Sequence, residues 1–393
     1  MQFRFGFLLF KQHTRAQEDR HVAAQNAAVA YASNRLASHH GKTANRINRC
    51  SYHSHGIIFQ SALVTIGVLN DTMFHNLHSR QPASQLPSFF RGSRKNTVVL
   101  FGEVLADIFP DRTVLGGAPF NVARHLKAFG QNPVLITRLG NDALRDEVLR
   151  VMSQNGMDLV GVQCNNKYPT GQVLVHIENG SHRFEILPEQ AYDFIHLAVA
   201  RMATISVSPA LVYFGTLAQR HETSRRALKS LLRSTEAVKF LDINLRLPWY
   251  DKRTLRQSLQ YADTLKLNIE ELGVLVEMFD LPGSKPQDQI GALMKQFNLD
   301  QAVITRGEEG AWQVNREGKI VEATLKSKIT KWVDTVGAGD GFAAVCILGT
   351  LLRWPMARTL ERANALAAAI CGIRGAVPEH ADFYEPFIRE WGV

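Results

Sequence analysis

Thr97-Val98-Val99-Leu100-Phe101-Gly102 (TVVLFG) is the stretch on which the fold turns. A run of β-branched and large apolar residues ended by glycine reads as a short strand buried on both faces. Downstream the same signal recurs at Val134 to Thr137, Leu211 to Phe214, Val238 to Ile243, Thr264 to Leu267 and Ala302 to Thr305. Between these runs lie stretches with helical spacing of apolar residues: Asn121 to Phe129, Asp142 to Gln154, His221 to Arg233, Glu270 to Phe279 and Asp288 to Phe297. Strand and helix in alternation predict an α/β fold, a mostly parallel sheet with helices on both faces. No fixed-period repeat is present, which argues against a solenoid.

Upstream of that strand the chain changes character. Residues 1–95 hold 12 Lys and Arg against three acids, which is the whole net charge of +9, and eight of the 14 histidines. The remainder carries 33 basic and 33 acidic residues, so a basic groove for a nucleic-acid backbone is not expected in the core. The first 95 residues are read as a basic, His-rich and disordered extension, with a start placed upstream of Met73 or a targeting segment as alternatives. Gly41-Lys42-Thr43 imitates the end of a phosphate loop, but the glycine required five positions earlier is Leu36.

With 45% hydrophobic and 21% charged residues in 393, wholesale disorder and collagen-like repeats are excluded. No apolar run reaches the ~18 residues of a membrane span; Gly56 to Leu69 is short and broken by Gln60, Ser61 and Thr65. Cys50, Cys164, Cys346 and Cys371 form no CxxC pair, so neither a disulfide framework nor a zinc site is indicated. Reduced, buried thiols in a cytoplasmic enzyme are the expectation.

One segment breaks the alternation. Gln172 to Glu178 and Ser181 to Leu187 flank Asn179-Gly180, a dipeptide suited to a tight hairpin turn. Such a projection serves equally as a lid over a site or as the edge of a homodimer.

Chemistry concentrates at Asp334-Thr335-Val336-Gly337-Ala338-Gly339-Asp340-Gly341-Phe342, ahead of an apolar helix from Ala343 to Leu352. Small residues before a helix expose consecutive N–H groups, and the helix dipole adds positive charge, so an anion is favoured there. An acid in such a place is an ordinary cap when alone; beside a phosphate it can accept the proton of an attacking hydroxyl. A dinucleotide site fails, because GxGxxG would need glycine where Phe342 stands and no acid falls between 341 and 360. A second glycine site, Gly116-Gly117-Ala118-Pro119-Phe120-Asn121, opens the first helix, and Asn121 can both donate and accept. Upstream, Asp107 is placed at a strand end, where α/β sheets bind ligands and where a carboxylate can accept from two neighbouring hydroxyls.

Taken together, these residues resemble the PfkB (ribokinase-like) carbohydrate kinases, and within them the fructokinase type. Asp334 to Asp340 (DTVGAGD) matches the C-terminal signature and Gly116 to Ala123 (GGAPFNVA) the N-terminal one; Asp242 to Arg246 with Trp249, Lys266 to Asn268 with Glu271, Thr305 to Gly307 with Gly310, and Asn364 agree as well. The resemblance covers 96–393 and implies a three-layer sandwich with a small β-lid built near 103–118 and 172–187. It implies a kinase that phosphorylates a primary hydroxyl of a monosaccharide with ATP and magnesium, and potassium as a further cofactor. Fructose leads; 2-keto-3-deoxygluconate, another sugar or nucleoside, or a non-catalytic sugar-binding regulator are the alternatives.

By resemblance, Asp340 is the catalytic base and Gly337, Ala338 and Gly339 the anion hole. Asp107, Gly116, Gly117, Asn121, Arg246 and, more weakly, Arg183 contact the sugar. Asn268, Thr305, Gly307, Gly310 and Asn364 line the nucleotide site. Asn268 and Glu271 hold magnesium through water, and Asp334 with the loop at 372–376 matches the monovalent-cation region. Two departures stand out: Gly341 follows the base where Ala, Ser or Thr is usual, and Arg145 replaces a loop glycine.

Overall fold

β1 (Thr97–Phe101) is buried at every residue, and its side chains divide between two cores: Val99 and Phe101 enter one, Val98 and Leu100 the other. That alternation is what a central strand covered on both faces requires. The computed structural model describes residues 97–178, 181–325 and 333–393. The readings made for residues 1–95 and for the Asn179-Gly180 turn lie outside them.

Further strands follow as β2 (Leu105–Ile108), β3 (Thr113–Gly116), β4 (Asn132–Leu139), β5 (Val162–Cys164), β6 (Gly171–Glu178), β7 (Ser181–Ile186), β8 (Leu211–Phe214), β9 (Val238–Asp242), β10 (Thr264–Asn268), β11 (Gln301–Thr305), β12 (Ala311–Asn315) and β13 (Ile320–Ala323). Among the described residues they form a nine-stranded sheet ordered β13-β12-β11-β10-β9-β8-β1-β4-β5 and a four-stranded sheet ordered β3-β2-β6-β7. The large sheet is parallel from β11 to β5, and β12 and β13 close one edge antiparallel.

Helices Leu197–Val207, Glu222–Leu232, Lys252–Tyr261, Ile269–Phe279 and Pro286–Phe297 cover the face with Val99 and Phe101. Ala118–Ala128, Ala143–Gln154, Ala338–Leu351, Met356–Ile370 and Glu385–Trp391 cover the other. Local chemistry sets several starts: Asp142, Asp251 and Asn268 each accept a first-turn amide as N-cap.

The fold differs from the sequence reading at Asp107 and at one cysteine. β1 ends at Phe101, and Asp107 lies inside β2 of the small sheet, not at the end of a large-sheet strand. β12 and β13, for which the sequence reading named no strand, form an antiparallel hairpin; only a short turn joins them, too short for a crossover. Cys164 is exposed, while Cys346 and Cys371 are buried as expected. No helix among the described residues is long and apolar enough to cross a membrane.

Candidate active site

The chain leaves β1 toward β4 on one side and returns to β8 on the other, so β1 and β8 flank a topological switch point. Crevices outside the carboxyl ends of such strands bind ligands. A pocket of about 550 Å³ lies there. Glu103 follows β1, Gly215 and Thr216 follow β8, and Asn244 and Arg246 follow β9 on its wall; Asp107, Val173, Phe184 and Ile186 come from the small sheet. Gly116, Gly117, Asn121, Asp334, Gly337, Gly339, Asp340 and Arg374 complete the side that faces the two helix starts.

Asp340 is the third residue of the Ala338–Leu351 helix and is half-buried on the pocket wall. Asn121, from the first turn of Ala118–Ala128, donates its Nδ2 to Asp340 Oδ2 at 2.8 Å. Burial raises the Asp340 carboxyl to about 6; Asn121 opposes this, Asp242 adds to it, and Lys266 and Arg246 lower it. A base with a pKa just below neutral is ionised at pH 7 yet retains affinity for a proton. Beneath it runs a buried ion pair: Lys266 Nζ donates to Asp242 Oδ1 and Oδ2 at 2.9 and 3.0 Å, and Tyr213 adds a hydroxyl bond to Oδ2 at 3.2 Å.

The helix start is shaped for close approach. Gly337 is the N-cap with φ of 82°, and a Cβ there would meet the Ala376 backbone at 2.3 Å. Only glycine satisfies both demands. Ala338 donates its amide to Thr335 O at 3.3 Å and Gly341 to Gly337 O at 2.9 Å, leaving Gly339 and Asp340 as first-turn amides for a ligand. Gly117, with φ of 107°, is equally confined, since a Cβ would lie 2.6 Å from Glu103 O.

The remaining expected residues fall into two groups. Asn268 and Glu271 form a reciprocal capping box: Asn268 Oδ1 accepts the Glu271 amide at 2.7 Å and Glu271 Oε2 the Asn268 amide at 2.9 Å. Glu271 Oε1 also accepts the Leu245 amide at 2.8 Å, which ties the loop bearing Arg246 to this helix. Thr305 ends β11 and precedes the short turn Gly307–Glu309; Gly310, whose Cβ would meet Ala323 O at 2.3 Å, and Asn364, which donates to Ala323 O at 2.8 Å, converge on the end of β13. None of these six lines the 550 Å³ pocket. Asp334 does, and its carboxylate accepts from Val336 N at 3.0 Å and Gly375 N at 3.4 Å.

Arg183 is a correction. It pairs opposite His176 in the β6–β7 ladder, whereas its neighbours Phe184 and Ile186 line the pocket. Side chains alternate faces along a strand, so exposed Arg183 belongs to the other face of the hairpin. The two departures have structural answers. A Cβ on Gly341 would lie 2.1 Å from Ile370 Cδ1, so the missing methyl leaves the end of the Ile370 side chain room over the start of the Ala338–Leu351 helix. Arg145 turns outward to Asn141 and Asp146, while Asp142 caps the helix and binds Thr170 through both carboxylate oxygens at 2.7 Å, so the loop stays tied without a glycine.

Two residues escaped the sequence reading. Glu103 is the true strand-end acid: it lines the pocket at 4% exposure, and burial pushes its carboxyl up to about 7. The acid directly after the strand-ending Gly102 was the available signal. His125, one turn beyond Asn121, is fully buried; its Nδ1 lies 2.7 Å from Tyr384 Oη and its Nε2 3.2 Å from Ala376 O. A carbonyl only accepts, so Nε2 carries the hydrogen and Nδ1 takes the tyrosine proton. Burial holds this imidazole neutral, with its pKa lowered to about 3.

A family model described as pfkB family carbohydrate kinase matches residues 98–381. “Probable fructokinase-4” of Arabidopsis thaliana is 26% identical over 314 residues, covering 72% of this chain and 93% of its own length. Fructokinase-2 of Zea mays is 25% identical over 313 residues, with 72% and 90% covered. Among solved structures, the fructokinase with bound ATP from Xylella fastidiosa superposes with a TM-score of 0.65 at 20% identity, covering 76% of this chain and 100% of that one. The fructokinase from Vibrio cholerae O395 with fructose, ADP and calcium gives 0.62 at 21%, covering 74% and 98%. Those likenesses establish a ribokinase-like fold, and the family match completes the assignment: the chain belongs to the pfkB family of carbohydrate kinases, phosphotransferases whose acceptor is an alcohol group.

Proposed function

We propose that this kinase transfers the γ-phosphoryl group of ATP to a primary hydroxyl of a free monosaccharide, with fructose as the leading substrate. The observation that carries the reading is the Asn121–Asp340 contact of 2.8 Å at a helix start inside a pocket of sugar size. Asp340 takes the proton of the attacking hydroxyl, and Asn121 orients the carboxylate while its own Oδ1, buried and without a partner among the described residues, faces the need for a donor. A sugar hydroxyl supplies one. The amides of Gly339 and Asp340 with the helix dipole stabilise negative charge on the transferring group. Arg246 adds a positive charge in the same pocket.

Asn268 and Glu271 fit magnesium held through water: their carbonyl and carboxylate oxygens already accept three backbone amides, which leaves outer lone pairs and no open direct site. When bound, the ion neutralises phosphate charge. Asp334, held by the Gly375 amide of the 372–376 loop, is the oxygen ligand proposed for a monovalent cation. Thr305, Gly307, Gly310 and Asn364 frame the proposed nucleotide end, a reading supported by the ATP in the Xylella protein.

A sugar acid is the second reading, because Arg112, Arg246 and Arg374 share the pocket. Four carboxyls, Glu103, Asp107, Asp334 and Asp340, line it too, which favours a neutral polyol. The test is a coupled ADP-release assay of the full chain with magnesium-ATP against fructose, ribose, tagatose, 2-keto-3-deoxygluconate and adenosine. Fructose turned over fastest is expected; fastest turnover of the sugar acid would select the second reading, and turnover of none would reject both.

A further inference from the structure

We propose that Glu103 is a substrate-contacting, specificity-determining residue, whose carboxyl hydrogen-bonds a sugar hydroxyl other than the one Asp340 deprotonates. The inference rests on the sugar-kinase reading above. Glu103 lines the same pocket as Asp340 and Asn121 and is only 4% exposed, yet its Oε2 is buried without a hydrogen-bond partner among the described residues. A buried polar atom left unpaired is costly, and such atoms are rare unless a ligand or water completes them. The backbone that carries it is fixed: Gly102 donates to Ile136 O at 3.1 Å, and the Glu103 carbonyl lies against Gly117.

The charged and titratable groups around Glu103 are Arg246 and Arg220, which favour its anion, and Asp340, Tyr192 and Tyr213. Burial outweighs the arginines and keeps the carboxyl near neutral in its titration. Its acid form donates to a hydroxyl oxygen and its anion accepts a hydroxyl proton, so a hydroxyl satisfies either state and a C–H satisfies neither. Asn121, which also lines the pocket, carries a second buried and unpaired oxygen, Oδ1. The competing account is a water held between Glu103 and Arg220, whose Nη1 is also unpaired.

Full-length Glu103→Leu and Glu103→Gln would be compared with the native chain on the fastest sugar of the panel and its monodeoxy analogues. Native enzyme should lose about ten- to a hundredfold in kcat/KM on one analogue. In Glu103→Leu that discrimination should fall to within about twofold while the KM for ATP holds, and the thermal midpoint should rise because an unpaired buried carboxyl is gone. Glu103→Gln, whose amide can likewise donate to or accept from a hydroxyl, should retain most of the discrimination. An unchanged deoxy profile in Glu103→Leu overturns the proposal in favour of the water. Should that variant not fold, Glu103→Ala is read on the same analogues, and an unchanged deoxy profile there overturns it instead. A native chain that turns over no sugar rejects the sugar-kinase reading and this inference with it.

Discussion

Replacing Asp340 by asparagine keeps the shape of the side chain and an oxygen able to accept from Asn121 Nδ2, but removes the proton acceptor. Loss of a general base costs about 10²- to 10⁴-fold in kcat, or roughly 3 to 5 kcal/mol of transition-state stabilisation. Stability should move the other way. The folded carboxyl titrates at about 6 against an ordinary 3.8, because burial and Asp242 disfavour its anion. Holding that anion at pH 7 therefore costs up to about 3 kcal/mol. A carboxyl raised in this direction stabilises the fold when protonated, and that contribution is lost as pH climbs from about 4 through 6. Asparagine has no such loss. The variant should melt ~5 °C above the native chain at pH 7 and level with it near pH 4. Scanning calorimetry at both pH values beside the ADP-release assay reads both effects. Activity within tenfold of native, or a stability difference that does not vary with pH, would refute the assignment of Asp340 as a desolvated base.

Gly337→Ala should lower kcat by at least ~10²-fold with a modest change in sugar KM, since a Cβ would meet the Ala376 backbone at 2.3 Å and displace the anion hole; Gly339→Ala, whose nearest neighbour would be Lys266 Nζ at 3.8 Å, should be far milder in the same assay. His125→Phe strands the Tyr384 hydroxyl and the Ala376 carbonyl and should cost about 2 to 4 kcal/mol in urea unfolding at pH 7. A histidine held neutral with its pKa near 3 loses stability as pH falls below about 6.5, so the deficit should shrink between pH 6.5 and 5. Glu271→Gln leaves one of two backbone amides without its oxygen; a loss of about 1 to 2 kcal/mol and a higher magnesium concentration for half-maximal rate are expected from melts and magnesium titration.

The layers of this fold were legible because the central strands are short continuous apolar runs and most helices carry their own period; the short β2, β3 and β5 and the β12–β13 hairpin gave no such signal. The Gly–Gly and Gly–Ala–Gly sites were legible because close approach leaves only small residues possible. Asp107 shows where that stops. Gly102 marks the end of β1, but nothing in Glu103 to Asp107 says that the chain then enters a second sheet, so the acid five positions after Gly102 was placed at the wrong strand end. Arg183 shows the same limit in a strand: a one-residue choice of face decides pocket or solvent, and a hairpin with mixed residues on one face does not declare it. His125 and Lys266 gave no isolated signal, since their importance comes from partners far along the chain, Tyr384 and Asp242.

The order in which the pocket loses its protons separates two electrostatic accounts of the site. Glu103 and Asp340 line one pocket, and Asp340 raises Glu103, so ionisation of both is disfavoured and one proton leaves before the other. Burial raises both carboxyls, and in one account the base ionises first, beside a neutral Glu103. Glu103→Gln, neutral at every pH, should therefore leave the acid limb of kcat/KM near pH 6 where it was. If Glu103 ionised first, its anion would be what holds Asp340 up, and the glutamine would shift that limb downward. A pH profile of the two enzymes from 4.5 to 8 decides between these accounts. An unmoved limb means that burial, with Asp242 beneath, tunes the base, and that Glu103 is left to meet the sugar.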